Sequence, residues 1–340
     1  NLEKAMIVDL PDTTTSKISK KIMSLREQGG VIALGRVLTL VVVTKSGQEE
    51  EAIEAANEAS REHPCRIIVL ADAGVEGPDR LDAQIRVGGD AGASEVIVLR
   101  GHGHMAHESE SLVAALLLPD APIVAWWPHG APESACETSI GRIAHRRITD
   151  SANEPDPRLA LENIRATYKA GDTDLAWTRL TNWRMQLAAA MDHVDPATIT
   201  GITVEGASDS PSTLLLASWL GRSLQAPVTI VADPPGTGIR GVRLMTAAGA
   251  IRLSRPGHTV AELTQPGQPA QRITLARRSL KDCLAEELRR LDPDEVFGET
   301  VRGFDMSRVR HEGLHRGGGV DVDALVSALS QVDDSLAEAR

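Results

Sequence analysis

Apolar runs and helical stripes alternate along the first part of the chain. Leu38-Thr39-Leu40-Val41-Val42-Val43 is nearly unbroken and rich in β-branched residues, the pattern of a strand buried on both faces. Residues 49–62 then read as a helix, and Arg66-Ile67-Ile68-Val69-Leu70 as the next strand. Val96-Ile97-Val98-Leu99 and Ile123-Val124-Ala125-Trp126-Trp127 repeat the strand signal around a helix at about 108–118, which Pro119 ends. Strands separated by helices predict parallel pairing through right-handed crossovers. Residues 81–87 alternate more clearly and predict an added, less buried strand. The expected fold of 1–150 is an open parallel-sheet α/β domain with an N-terminal extension.

The pattern changes at Ser151-Ala152-Asn153-Glu154-Pro155-Asp156-Pro157, a polar, turn-rich segment. Helices are predicted at 156–170 and 174–191, so 151–198 reads as a helical bridge. Beyond it come a strand at 199–204, a helix at 211–224 and shorter strands at 228–232, 239–246, 250–254, 260–264 and 271–275. Glycine and proline breaks between the later strands favour hairpins. A helix at 279–291 is expected to close a second, α+β domain over 199–340, which includes a C-terminal helical region. No periodic repeat points to a solenoid.

Composition narrows the function classes. The 340 residues suit two compact domains, and 42% hydrophobic content is enough for ordinary cores. Aromatics are only 2%, so the cores rest on aliphatic residues, and five of the few aromatics are Trp. The net charge of -11 repels nucleic-acid phosphates and anionic membranes, so neither is an expected partner. Cys65, Cys136 and Cys283 are far apart and form no CxxC pair or dense disulfide framework; a reducing cytoplasm is the expected location. The apolar stretch at 112–118 is too short to span a bilayer, and Met6 to Ile18 has no signal-peptide core. Asn1 to Ala5 precede a methionine that can serve as a start, and they carry no functional reading.

Candidate chemistry is sparse. Arg179, Trp183 and Arg184 fall on one predicted helix, and a Trp beside guanidinium groups suits a protein-contact surface. The plainer reading makes Trp177 and Trp183 core anchors, with the arginines binding interdomain acids. Ser210 and Ser212 open a helix behind Asp209, where exposed amides can be capped or can attract phosphate. Arg240, after Asp233-Pro234-Pro235-Gly236-Thr237-Gly238, completes a set of anion-site candidates, although an ordinary hairpin needs the same glycines and prolines. His102, His104 and His107, with Glu108 or Glu110, have the ligand types for zinc but not the HExxH spacing. Neither a P-loop nor a GxGxxG fingerprint is present. No catalytic, cofactor-binding or metal-binding residues are therefore assigned.

Three separated segments carry a family resemblance: Met6-Ile7-Val8-Asp9-Leu10-Pro11-Asp12-Thr13-Thr14-Thr15-Ser16-Lys17-Ile18, Arg179-Leu180-Thr181-Asn182-Trp183-Arg184 and Asp292-Pro293-Asp294-Glu295. Together they resemble the OpcA family, assembly proteins of glucose-6-phosphate dehydrogenase. The resemblance implies a non-catalytic assembly factor and allosteric activator of that dehydrogenase, at the entry to the oxidative pentose-phosphate pathway, with no cofactor of its own. Two rivals stand beside it. One is a sugar-phosphate hydrolase or lactonase using Ser210 or Ser212, His258 and Arg240; the other is a metabolite-sensing regulator of another enzyme.

Overall fold

The apolar run at 38–43 lies at the centre of an eight-stranded sheet. The computed structural model describes residues 6–29, 37–88, 95–107, 109–207, 209–236, 238–303 and 310–313. Asn1 to Ala5, Gly30, Glu108, Ser208, Thr237 and most of the expected C-terminal region lie outside the described residues. In chain order the first part runs β1 (Met6–Leu10), α1 (Thr15–Gly29), β2 (Leu38–Lys45), α2 (Glu49–Ser60), β3 (Cys65–Asp72), β4 (Arg80–Val87), β5 (Glu95–His102), α3 (Glu110–Val113), β6 (Ile123–Trp126), α4 (Ser139–Ile143), β7 (Arg146–Thr149), α5 (Pro157–Thr167) and β8 (Asp172–Asp174). The strand order is β1-β4-β5-β3-β2-β6-β7-β8. Pairing is parallel from β5 to β8, while β4 and β1 add an antiparallel edge.

Alternation along the strands divides their side chains between two layers. Val41, Ile68, Leu70 and Ile97 face α1, whose Ile18, Ile22 and Leu25 follow helical spacing. Leu40, Val42, Ile67 and Val69 face α2 on the other side. Each such buried aliphatic side chain contributes about 1.5–3 kcal/mol before entropy is counted.

The second part runs α6 (Leu175–Thr178), α7 (Thr181–Ala190), β9 (Gly201–Ala207), α8 (Pro211–Leu224), β10 (Val228–Asp233), β11 (Ile239–Thr246), β12 (Gly249–Ser254), β13 (Val260–Thr264), β14 (Gln271–Thr274), α9 (Leu280–Arg289), α10 (Glu295–Arg302) and β15 (Arg310–Gly313). Its sheet has the order β14-β13-β12-β11-β9-β10-β15. The expected hairpins form the antiparallel side, and β9, β10 and β15 are parallel. Ile202, Val204, Val242, Leu244 and Leu253 meet Leu214 to Ala217 of α8 and Trp183 and Leu187 of α7 in one core. Thr203, Glu205, Arg243, Arg252 and Glu262 point from the opposite face and are only partly buried or exposed.

Three expectations differ from what is observed. The single helix at 174–191 is divided into β8, α6 and α7, because 172–174 pairs with β7 and the Asp174 side chain then caps α6. The segment expected as a helical bridge thus supplies a strand to the first sheet. The helix at 108–118 reduces to α3 and a 3-10 turn at Ala114–Leu116, since Leu117 is extended ahead of Leu118 and Pro119. The helix at 279–291 was expected to close the second domain, yet α9 packs on α2 and covers the first sheet. Its Cys283, Leu284 and Leu288 lie in the same core as Ala52, Ile53 and Ala56. No helix among the described residues is long and apolar enough to cross a membrane.

Candidate functional site

The crossing of the chain between its two sheets is built on buried carboxylates. Asp174, at the end of β8, is fully buried and accepts four hydrogen bonds. Thr149 Oγ1 and the Ser151 amide donate to Oδ2 at 2.7 and 2.9 Å. Ser151 Oγ and the Ala176 amide donate to Oδ1 at 2.8 and 2.9 Å. Burial and the neighbouring charge of Asp150 nevertheless push the Asp174 carboxyl up to about 6 from an ordinary 3.8. A raised acid contributes stability that is full below about pH 4 and is lost as pH rises through about 6. Between those limits, the unfolding free energy of Asp174→Asn should fall less steeply with pH than that of the parent. Parallel slopes in denaturant titrations across this range would refute the assignment.

Asp150, also fully buried, receives both terminal nitrogens of Arg179, at 2.7 and 2.6 Å. Trp183 is 3% exposed and carries the Arg255 guanidinium over its ring at 5.1 Å. Arg184 stacks at 3.8 Å on Trp177, whose indole N–H donates to Asp294 Oδ2 at 2.9 Å. Burial lowers the Arg184 pKa against the pull of Asp294. Arg179, Trp183 and Arg184 therefore do not form an outward aromatic-basic face. Trp183 points inward because the α7 stripe covers the second sheet's core, while Arg179 and Arg184, both half-buried, turn to Asp150 and Trp177. Two of the segments that carry the family resemblance, 179–184 and 292–295, meet here. The third lies at the far edge of the first sheet, where β1 pairs with β4 and the Asp12 amide donates to Asp82.

Arg179, Trp183, Ser210 and Ser212 line a common cavity of about 240 Å³. Both hydroxyls already have structural roles. Ser210 Oγ caps α8 by accepting from the Thr213 amide, and Ser212 Oγ donates to the Ala176 carbonyl at 2.8 Å. Arg240 lies apart, 3.0 Å from Asp233, and His258 is on the exposed turn between β12 and β13. The hydrolase reading thus has no assembled nucleophile and base. The histidines are also divided: His102 contacts Asp82 and Arg80, and His104 contacts Asp79. Among the described residues no group of three metal-ligating side chains converges.

Sequence reasoning missed the other arginines of this cavity, Arg255, Arg277 and Arg278. The adjacent pair ahead of the Ser279 cap was a visible signal, whereas Arg255, just past the end of β12, gave none. Arg278 pairs with Glu286 and donates to the Thr178 carbonyl at 2.8 Å. A larger hollow of about 650 Å³, between the end of α7 and the turns after β11 and β13, contains none of these arginines.

Open α/β sheets bind nucleotides where strand order reverses, which here is between β2 and β6. At that point Thr44 Oγ1 and His129 Nε2 share a 2.7 Å hydrogen bond. The turn into α2 is followed by Glu49, Glu50 and Glu51, and Glu49 itself accepts from the Gly47 amide. A helix start held by the chain's own carboxylates is poorly suited to a pyrophosphate.

Comparison with known proteins gives two family matches. Residues 56–166 match the model described as the glucose-6-phosphate dehydrogenase subunit N-terminal domain, and residues 170–301 match that of the C-terminal domain. None of the curated proteins is close enough in sequence to match. Among solved structures, a 3-ketoreductase from Actinomadura kijaniata in complex with NADP and TDP-benzene is 10% identical, with 82% of this chain and 99% of that chain covered and a TM-score of 0.41. A dehydrogenase from Chromobacterium violaceum is 11% identical, covering 88% and 98%, with a TM-score of 0.43. A Gfo/Idh/MocA family oxidoreductase from Vibrio cholerae is 6% identical, covering 79% and 96%, with a TM-score of 0.38. TM-scores this low carry nothing about the chemistry of this chain.

Proposed function

Because the chain belongs to the OpcA family of glucose-6-phosphate dehydrogenase assembly proteins, we propose that it binds glucose-6-phosphate dehydrogenase as a non-catalytic assembly factor and allosteric activator. The observation that carries this reading is the double family match, which falls on both sheets. Its place would be the entry to the oxidative pentose-phosphate pathway, in the cytoplasm. The partner performs the hydride transfer, and this chain changes no covalent bond.

The mechanism is preferential binding to the partner's active conformation or oligomer. A tenfold difference in affinity between two partner states shifts their ratio tenfold, about 1.4 kcal/mol, whereas equal affinity shifts nothing. Such a device needs a surface of fixed shape. Arg179, Trp183 and Arg184 support it from within as positioning residues, by fixing the junction through Asp150, Arg255 and Trp177.

The test is a dehydrogenase assay titrated with this chain, alongside co-purification of the two proteins. The dehydrogenase rate is expected to rise to a plateau at a defined ratio of the two chains, with no turnover by this chain alone. A flat rate with both proteins folded would end the activator reading, and hydride transfer by this chain alone would end the non-catalytic one.

A further inference from the structure

The hollow of about 650 Å³ at the end of α7 has walls that the chain's own hydrogen bonds already fix. Gln265, just past β13, donates its carboxamide N–H to the Ala190 carbonyl at 3.0 Å and ties the helix end to the sheet. Thr246 Oγ1 holds the turn between β11 and β12, donating to the Gly249 carbonyl at 2.8 Å and accepting from the Ala248 amide at 3.2 Å. Asp195 caps the 3-10 turn Pro196–Thr198 by accepting from the Ala197 amide at 3.0 Å. Walls that stand without an occupant leave little to be ordered on binding. Ala190, Ile251 and Leu263, all buried members of the second sheet's core, supply an apolar floor.

Four glutamines stand around that floor, Gln186, Gln265, Gln268 and Gln271. Among the described residues, the side chains of Gln186, Gln268 and Gln271 have no hydrogen-bond partner, so their donors and acceptors are available. No lysine, arginine or aromatic ring lines the hollow among the described residues, and Asp195 is its one carboxylate. A phosphate or carboxylate would enter with no guanidinium or ammonium to balance it, and a planar base would find no ring to stack on. A carboxamide offers a donor and an acceptor together, as each hydroxyl of a sugar does.

We propose that this hollow is a binding site for a neutral sugar of one or two rings. Its hydroxyls meet the carboxamides of Gln186, Gln268 and Gln271, and its C–H faces rest on Ile251 and Leu263. The volume lies within the roughly 300–1,000 Å³ of small-molecule sites. An occupant would join α7 to the hairpin turns of the second sheet. The proposal concerns this chain alone and does not depend on the dehydrogenase.

Isothermal calorimetry and thermal unfolding of the full chain with glucose, maltose, glucose 6-phosphate and adenosine provide the test. Glucose or maltose should bind and raise the melting temperature. Glucose 6-phosphate should bind about tenfold more weakly than glucose or not at all, and adenosine should not bind. Ala189 is an exposed lining residue, whereas its neighbour Ala188 is exposed and outside the lining. Ala189→Trp should therefore fill the hollow and abolish binding, and Ala188→Trp should bind as the parent does. Gln268→Ala, at an exposed position, should weaken binding about fivefold and still decides if Ala189→Trp fails to fold. A rise in melting temperature that persists in Ala189→Trp would mark general exclusion of sugar from the protein surface and overturn the site. So would no response to either sugar, binding of glucose 6-phosphate or adenosine as tight as that of the sugars, unchanged affinity in Gln268→Ala, or an equal loss in Ala188→Trp.

Discussion

Replacing Arg146 by methionine is expected to destabilise the fold by about 3–5 kcal/mol at neutral pH. Arg146 is 1% exposed and reaches from β7 of the first sheet to α9. One terminal nitrogen donates to Glu287 Oε2 at 2.6 Å, and the other donates to the carbonyls of Arg290 and Asp292 at 3.0 and 2.8 Å. Glu287 also accepts from Thr178 Oγ1 at 2.6 Å. Without the guanidinium a buried carboxylate loses its counter-charge while its desolvation remains. Burial already raises the Glu287 pKa against Arg146, and removing Arg146 should raise it further. A raised acid stabilises the fold below its unfolded pKa, and this contribution is lost as pH rises through its folded pKa. The deficit of the variant should therefore shrink as the medium is acidified from about pH 8 to about pH 5. Adding Glu287→Leu should recover most of the loss, because an apolar pair of similar volume has no desolvation cost. Denaturant unfolding of the parent, the two single variants and the double variant measures all of this. A loss under about 1 kcal/mol, or one independent of pH, would refute the account.

Trp183→Ala is expected to cost about 3–5 kcal/mol of stability and to leave the intrinsic affinity for a protein partner unchanged in the fraction that stays folded. The ring is in the second sheet's core with Leu187, Leu214 and Val242, and Arg255 rests on its face. Truncation leaves a cavity and removes the stacking surface under a buried guanidinium, so two losses add. Unfolding curves separate this outcome from a surface role, in which stability would hold and partner affinity would fall by about 2 kcal/mol. An unchanged unfolding transition would sink the core assignment.

These two residues show where sequence reading stopped. Trp183 was readable as a core anchor or as a contact residue because helical spacing gives a stripe but not what the stripe faces. Arg146 gave no structural signal at all. Arg146-Arg147-Ile148-Thr149 has two charges in four residues, yet every position of β7 is buried. Arg147 is held there by Asp172 and by the carbonyls of Ala144 and Ala170, groups that only the folded chain brings to it. Of the candidate site, Arg179, Trp183, Ser210 and Ser212 were named in advance and do share a cavity, whereas Arg184 and Arg240 do not line it.

By itself the sequence determined the two-sheet α/β plan, including the parallel core strands, the hairpins and most helix starts. Those features are written in local periodicity and capping: unbroken runs such as 38–43, alternation such as 81–87, and caps such as Ser210 and Ser279. The separated segments also carried enough identity to place the family. Tertiary structure alone decided that α9 covers the first sheet, that β8 joins it, and that Arg146 and Arg179 are paired inside the fold. Arg146 and Glu287 are 141 residues apart, and Arg179 and Asp150 are 29 apart. A local pattern can specify that a face must leave water, but a buried charge is tolerated only once its distant partner has arrived, and no spacing within one segment encodes that meeting.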